Sequence, residues 1–373
     1  GGGGGNAGVG GTSGPDSRGT TISGSSTTIT HVLGTPGGSS GEAGASSAGG
    51  NGLFLYRNIT ISGDELRVTF DAQAFGASGA SGVGAAAPGA SGTAGAEGVA
   101  GRDGQDGGLA LAEIAGLNLT AAEQLNLFIR LSAAGNLGGA GGSGGSPGKG
   151  QVSETVTDLT IGASSGFATT TWAGGTDGGD GGAGGTAVAR IRDSVIEGGA
   201  GADSVFIQLS ASGGTGGRGG AGSPGIPSSS EIVNGITTTV IGAAPGASGR
   251  DGAHGLAAVR IVDTQISLGD GNDSLTLEFS TDGLGPNRLL LRGNTFDGGS
   301  GVDTLQLPGA GVGGLANSLN AVVNVRDGTL RLGGGGPNTM SGFESFRGTR
   351  SDDRFIDGAG DQTYVGNGGD DTF

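Results

Sequence analysis

Apolar and polar residues alternate in short runs, each of which leaves a glycine-rich stretch and ends at an acidic turn. Residues 53–63 (LFLYRNITISG), 109–121 (LALAEIAGLNLTA), 186–198 (TAVARIRDSVIEG) and 256–269 (LAAVRIVDTQISLG) share this form. A period of two puts alternate side chains on one face, so each run predicts a strand with one buried side. A second alternating run follows each turn. The turn residues align as Asp64, Glu123, Asp203 and Asp273, each two positions before an apolar residue (Leu66, Leu125, Val205, Leu275). A shorter unit over 288–307 places Asp303 and Leu305 likewise. Similar units with unequal insertions predict a stack in which the paired strands stay constant and the excursions vary.

The insertions have a register of their own. Glycine occupies positions 89, 92, 95, 98, 101, 104 and 107, and the same spacing recurs over 2–14, 135–144, 175–184, 213–225 and 246–255. A helix with three residues per turn would gather these glycines on one edge, where backbones approach closely. Collagen has that geometry but needs three chains and abundant proline, and this chain has 10 prolines. The pattern resembles instead the polyglycine-II packing of certain antifreeze proteins and phage tail-fibre adhesin tips. In those proteins, parallel and antiparallel helices of one chain hydrogen-bond side by side. The order of pieces predicts out-and-back excursions: 135–144 leaves, a strand-like stretch at 152–161 follows, and 175–184 returns. Segments 213–225, 232–241 and 246–255 repeat the scheme, and 20–33 (TTISGSSTTITHVL) reads as a further copy of the distal stretch.

Two segments carry the complete nonapeptide G-G-x-G-x-D-x-U-x, with U a large apolar residue: 198–206 (GGAGADSVF) and 298–306 (GGSGVDTLQ). Its glycines reach left-handed conformations and bring carbonyl oxygens near a cation, and its aspartate adds a carboxylate. Residues 268–276 (LGDGNDSLT) keep the pattern except for Leu268 at the first glycine. From Gly348 the units are tandem: 348–356 (GTRSDDRFI), 357–365 (DGAGDQTYV) and 366–373 (GNGGDDTF). The motif is similar to the RTX, or haemolysin-type, calcium-binding repeat. That resemblance implies turns of stacked units holding Ca2+ between them. The turns concerned are Gly199, Gly201 and Asp203; Gly269, Gly271 and Asp273; and Gly299, Gly301 and Asp303. In the tandem array it points to Asp353, Gly358, Gly360, Asp361, Gly369, Asp370 and Asp371, with Asp353 and Asp371 on one edge. The opposite edge has Gln362 where the pattern wants aspartate, and Ser351 replaces a glycine. The first two units lack the glycines and are not expected to hold calcium.

Composition narrows the picture. Glycine makes up 93 of 373 residues and aromatics 4%, so any core is thin and built from Val, Ile, Leu and Ala. A net charge of −16 argues against a nucleic-acid partner and suits carboxylates neutralised by divalent cations. Cysteine is absent, which removes disulfides and thiolate metal sites. No apolar run approaches the roughly 18 residues of a membrane-spanning helix. The chain begins in a glycine run without a visible signal peptide and stops at the apolar position of a repeat, which reads as part of a longer protein. Catalysis lacks its residues. The histidines, His31 and His254, are far apart, and no H-E-x-x-H occurs. A G-x-S-x-G match at 141–145 lies in a triplet run, without the strand–turn–helix context of a nucleophile elbow. Arg190, Arg260 and Arg292 recur at similar places and read by default as a solvated face, the alternative being a ladder facing carboxylates. His31 and Trp172, near distal stretches, read as local packing.

The expected fold is all-β: a right-handed parallel β-helix or β-roll solenoid with a lateral polyglycine-II layer. The expected parts are a glycine-rich segment with one distal strand (1–52), coils with long glycine-triplet excursions (53–307), and a β-roll of tandem nonapeptides (308–373). The expected function is that of a non-enzymatic, secreted, calcium-binding structural protein, extracellular or at a bacterial cell surface. It would self-associate into a filament, surface layer, sheath or biofilm matrix, with a cell-surface polysaccharide as a further candidate partner. The alternatives are an adhesin or receptor-binding module, and the RTX secretion region of a larger exoenzyme. An ice-binding face would need a regular threonine ladder, and only short clusters such as Thr237–Thr239 occur.

Overall fold

One residue turns the chain at the same corner of successive units: Asn58, Gly116, Asp193, Asp263 and Gly293, with φ of 51°, 65°, 50°, 50° and 69°. Glycine, asparagine and aspartate tolerate this left-handed conformation, so backbone geometry explains what stands at the corner. The computed structural model describes residues 17–18, 21–31, 48–82, 100–144, 149–157, 165–172, 175–233, 236–308 and 319–373. Among these the secondary structure is entirely β, and no helix is long and apolar enough to cross a membrane. The triplet run at 2–14 and the glycines at 89–98 lie outside the described residues.

Before the corner, Gly52–Arg57, Ala110–Ala115, Ala187–Arg192, Ala257–Val262 and Asn287–Arg292 pair in parallel, residue for residue, in a 6-stranded sheet. After it, a second ladder joins 118–120 to Val195–Glu197, Gln265–Ser267 and Thr295–Asp297. A third ladder joins the later parts of Thr60–Phe75 and Asn118–Ala134 to Ser204–Ser212, Ser274–Asp282 and Thr304–Gln306. The second and third ladders belong to a 15-stranded sheet that also takes in the C-terminal strands.

The alternation read from the sequence becomes buried columns. Val68, Leu127, Val205, Leu275 and Leu305 stack along the third ladder, beside Phe70, Ile129, Ile207 and Leu277. The first ladder adds small residues to the same core: Ala110, Ala112, Ala187, Ala189 and Ala257, with Ile114, Ile191 and Ile261. Each fully buried leucine or isoleucine contributes about 1.5–3 kcal/mol. Several of the buried polar residues stand at corners. Ser194, Thr264, Asn294 and Asn338 are buried there and bond along the stack: Leu117 N–H to Ser194 Oγ (3.2 Å), Thr264 N–H to Asn294 Oδ1 (3.0 Å) and Asn294 N–H to Asn338 Oδ1 (3.1 Å). A bent backbone cannot satisfy its own amides, so side chains do it.

The glycine runs form a two-row array. In the outgoing row, 76–82, 135–144 and 213–221 lie parallel: Gly79 N–H donates to Leu137 O, Gly138 N–H to Thr215 O and Gly141 N–H to Arg218 O, at 2.8–2.9 Å. In the returning row, Gly104 N–H donates to Asp180 O (2.7 Å) and Gly181 N–H to Arg250 O (2.8 Å). Antiparallel bonds link the rows. Gly139 donates to Gln105, Gly182 to Gly139, Gly217 to Gly182 and Gly252 to Gly217, all at 2.7–2.8 Å. Every bond recurs after three residues. None of these glycines has a left-handed φ; each is needed because a Cβ would strike a neighbouring run's carbonyl.

The distal ends are hairpins rather than single strands. Lys149–Thr157 pairs antiparallel with Ser165–Trp172, and Ser229–Val233 with Ile236–Ile241. The two hairpins join through parallel pairing of Ile236–Ile241 with Ser165–Trp172 into a 4-stranded sheet. The N-terminal expectation is corrected. Thr21–His31 is not a distal strand; it pairs in parallel with Thr60–Phe75, and Ser17–Arg18 pairs with Gly52–Arg57, so the segment adds a unit to the stack. Its isoleucines and threonines alternate as the ladder requires, and that fits a stacked strand as well as a tip. At the C-terminus, Arg354–Ile356 pairs with Ala321–Asn324, and Thr363–Val365 extends the third ladder beyond Ser345–Arg347. Successive nonapeptides therefore alternate between two strand columns.

Candidate metal centre

Asp203, Asp273 and Asp303 stand one above another at the corner that opens the third ladder. Each is buried, and each bonds to its neighbour's backbone. Asp203 N–H donates to Asp273 Oδ1 (2.7 Å), Asp273 N–H to Asp303 Oδ1 (2.8 Å), and Asp303 N–H to Glu344 Oε2 (2.9 Å). Asp203 in turn accepts from Leu125 N–H (2.5 Å) and Gly199 N–H (2.8 Å). The stacking anticipated for the aspartates of 198–206, 268–276 and 298–306 is present.

The alignment of the earlier units is corrected. Leu66 pairs with Leu125, and Leu125 meets Asp203, so Leu66 and Leu125 occupy the aspartate column. Asp64 and Glu123 do not. Ile196 and Val205 pair with Leu119 and Leu127, so the first glycine turn is one residue longer than the stretch below it. Without that turn the strands of the first two units run on, and leucine takes the place of carboxylate.

The turn glycines divide. Gly269 and Gly271 have φ of 95° and 143°, and Gly299 and Gly301 of 98° and 139°; these turns pair in parallel, Asp270 with Ser300 and Gly271 with Gly301. Gly199 and Gly201 do not share the positive φ. They lie against Ala122 and Glu123, where the unit below has no turn, and Gly201 N–H donates to Glu123 O (2.6 Å).

Two carboxylate oxygens in the column lack partners: Asp273 Oδ2 and Asp303 Oδ2 are buried without a hydrogen bond. Burial pushes both acids up, opposed by the N–H bonds they accept. Asp203 and Asp270 raise Asp273 further; Asp273, Glu344 and Asp297 do the same for Asp303. Asp203 is also raised by burial, against the bonds from Leu125 and Gly199. An unpaired, buried carboxylate oxygen next to like charges favours either a proton or a cation. Among the described residues no three acidic or histidine side chains converge on one point. An ion at this corner would therefore draw oxygens from turn carbonyls as well as from Asp273 and Asp303, and such a mixed set suits calcium.

In the tandem array Asp353 and Asp371 do share an edge: Asp353 N–H donates to Asp371 Oδ1 (2.9 Å). Asp353 is buried and already occupied by Ala321 N–H (2.6 Å), Thr349 N–H (2.5 Å) and the Thr349 hydroxyl (2.8 Å). Asp370 and Asp361 are exposed, and Asp370 N–H donates to Asp352 Oδ1 (2.8 Å). Gly360 and Gly369 have left-handed φ of 119° and 96°, whereas Gly358 lies against Val325. These residues are not gathered with Asp273 and Asp303. Glu344 was missed from sequence, although it precedes Phe346 by two positions as Asp303 precedes Leu305, and Phe346 pairs with Leu305.

Compared with known proteins, the chain matches no family model, no curated sequence and no solved structure.

Proposed function

We propose that this chain is a secreted, calcium-binding structural protein of the RTX type, folded as a right-handed parallel β-helix with a lateral polyglycine-II layer. Its role is to form or stabilise an extracellular assembly such as a filament, surface layer, sheath or biofilm matrix. The observation that carries the calcium reading is the pair of buried, unpartnered oxygens on Asp273 and Asp303 beside glycine turns of left-handed φ. Calcium at this corner would be held by those carboxylates and neighbouring carbonyls, and would remove the repulsion among Asp203, Asp273, Asp303 and Glu344. Assembly is argued from the parallel ladders, in which the backbone of each unit pairs with that of the next. The edge of such a ladder accepts a further copy head to tail.

Calorimetric titration with CaCl2 and electron microscopy with and without a chelator test the reading. Saturable uptake, reduced in Asp273→Asn and Asp303→Asn, together with filaments or sheets that dissolve on chelation, is the expected result. No uptake, or a monomer under both conditions, overturns it.

A further inference from the structure

The outward face of the first ladder concentrates positive charge in a chain whose net charge is −16. At one end of the face the charge is neutralised. Glu113, fully buried, bonds Arg57 (3.2 Å), Arg190 and Arg192 (3.4 Å), so the expected solvated arginine row is corrected for Arg190. Arg190 pairs with Arg260 in the next strand, whereas Arg292 lies one column away, opposite Val262. Beyond Glu113 no acid follows. Neither Arg260 nor Arg288 has an ion-pair partner among the described residues, and Arg260 is half-buried. Burial, then the charges of Arg190 and Arg288, lowers its proton affinity.

A cleft of about 410 Å³ opens at this point, lined by Arg260, Asn287, Arg288, Leu290, Leu319 and Gly334 among others. Asn287 Oδ1 is buried there without a partner. Segment 309–318 (GAGVGGLANS), which leads into Leu319, contains no acid that could pair with the arginines.

We propose that this cleft binds an oxyanion (carboxylate, phosphate or sulfate) between Arg260 and Arg288. Planar guanidinium groups recognise such anions through paired, charge-assisted hydrogen bonds. An anion there also relieves the repulsion between Arg190, Arg260 and Arg288. Leu290 and Leu319 give the cleft an apolar wall against the uncharged body of a carrier. The site is independent of the calcium reading, because it shares no residue with the aspartate column.

The test is calorimetric titration of the full chain, in chelator and in calcium, with sodium phosphate, sodium sulfate and an oligogalacturonate. Saturable binding of at least one probe in both buffers is expected, weakened about tenfold or more in Arg260→Gln and in Arg288→Gln, and unchanged in Arg218→Gln. Tighter binding of the oligogalacturonate than of the inorganic ions would identify a uronate-bearing polysaccharide as the source of the anion. Arg260→Lys keeps the charge without the fork and should show an intermediate loss with an unchanged melting temperature. No saturable binding of any probe, or equal weakening in Arg218→Gln, overturns the proposal.

Discussion

Replacing Gly217 by alanine separates an ordered glycine layer from a set of flexible loops, because the two predict opposite signs. Gly217 lies inside the array: its N–H donates to Gly182 O, and its carbonyl accepts from Gly252 N–H, both at 2.8 Å. An alanine Cβ would stand 2.5 Å from the carbonyl carbon of Gly139 and closer still to its oxygen, whereas real Cβ atoms essentially never come within 3.0 Å of another heavy atom. The run 135–144 must retreat by on the order of 1 Å, which takes bonds of normal length out of range. Those at risk are Gly139 to Gln105, Gly182 to Gly139, Gly138 to Thr215 and Gly141 to Arg218. At about 1 kcal/mol net for each, losing three or four costs about 3–4 kcal/mol. Against this, glycine to alanine at an ordinary negative φ stabilises by about 0.4–1 kcal/mol through the unfolded state. The net expectation is a loss of about 3 kcal/mol in urea unfolding. The control Arg218→Ala, at an exposed position of the same triplet, should change little. Amide exchange should quicken at Gly138, Gly139 and Gly182. A Gly217→Ala protein as stable as the parent would refute the ordered layer.

Other consequences follow from the corners and the first ladder. Asp203, Asp273 and Asp303 are raised by burial, so without a cation the folded chain holds protons that the unfolded chain releases. Their effect on stability is fully favourable below the ordinary carboxylate range and declines as pH rises through the raised values. In chelator the melting temperature should therefore fall from mildly acidic to neutral pH, and calcium should restore more of it the higher the pH. A flat profile in chelator contradicts this. Asp303→Asn keeps the acceptor for Asp273 N–H, so it should leave the chelated protein at least as stable while abolishing the calcium increment in differential scanning calorimetry. Glu113 is pushed up by burial but pulled below its ordinary value by the hydrogen bonds and charges of Arg192 and Arg190. Glu113→Gln should cost about 2 kcal/mol in urea unfolding, because it leaves Arg57, Arg190 and Arg192 facing one another. Asn294→Ala strands Thr264 N–H and removes the side-chain donor to Ile261 O, while Asn338 Oδ1 keeps the backbone N–H of residue 294, and a loss of about 1–3 kcal/mol by the same measurement is expected.

The ladders were legible because a period of two survives in every unit, as in Ala187–Arg192 and Ala257–Val262, which pair residue for residue. The glycine rows were legible for a comparable reason, since the three-residue register of 135–144 and 213–225 is the register of their hydrogen bonds. What failed was alignment across a change in turn length. Asp64 and Glu123 precede leucines by two positions just as Asp203 precedes Val205, but spacing within one unit does not fix register between units. Register is set by which backbone groups pair, and the bulge between Gly63 and Glu65 shows that setting change. The N-terminal strand failed differently. Thr21–His31 has the composition of a distal tip and the pairing of a core strand, and only the match of Ile22 to Ile61 and of Ile29 to Val68 separates the two.

The excess of acid, which from composition alone favours divalent cations, has a second cause in this fold. Aspartates repeatedly accept a backbone N–H from the next strand or run. Asp103 serves Asp180 (2.7 Å), Asp106 serves Ala183 (2.7 Å), Asp177 serves Ala247 (2.7 Å), Asp180 serves Arg250 (2.7 Å) and Asp251 serves Gly219 (2.8 Å) in the glycine rows. Asp203 and Asp353 do the same in the corners. A stacked architecture exposes rows of amides wherever a run has no neighbour in the right register, and a short carboxylate reaches them with a charge-assisted bond. Such a carboxylate is engaged by the backbone without any metal. Net charge therefore does not measure calcium sites in this chain. The discriminating quantity is the number of buried carboxylate oxygens that no N–H reaches, and within the aspartate column those are Oδ2 of Asp273 and Oδ2 of Asp303. Calcium binding should accordingly concentrate at the junction of these two turns, where left-handed glycines pair, rather than spread along the tandem nonapeptides, whose buried Asp353 is already saturated by Ala321 and Thr349.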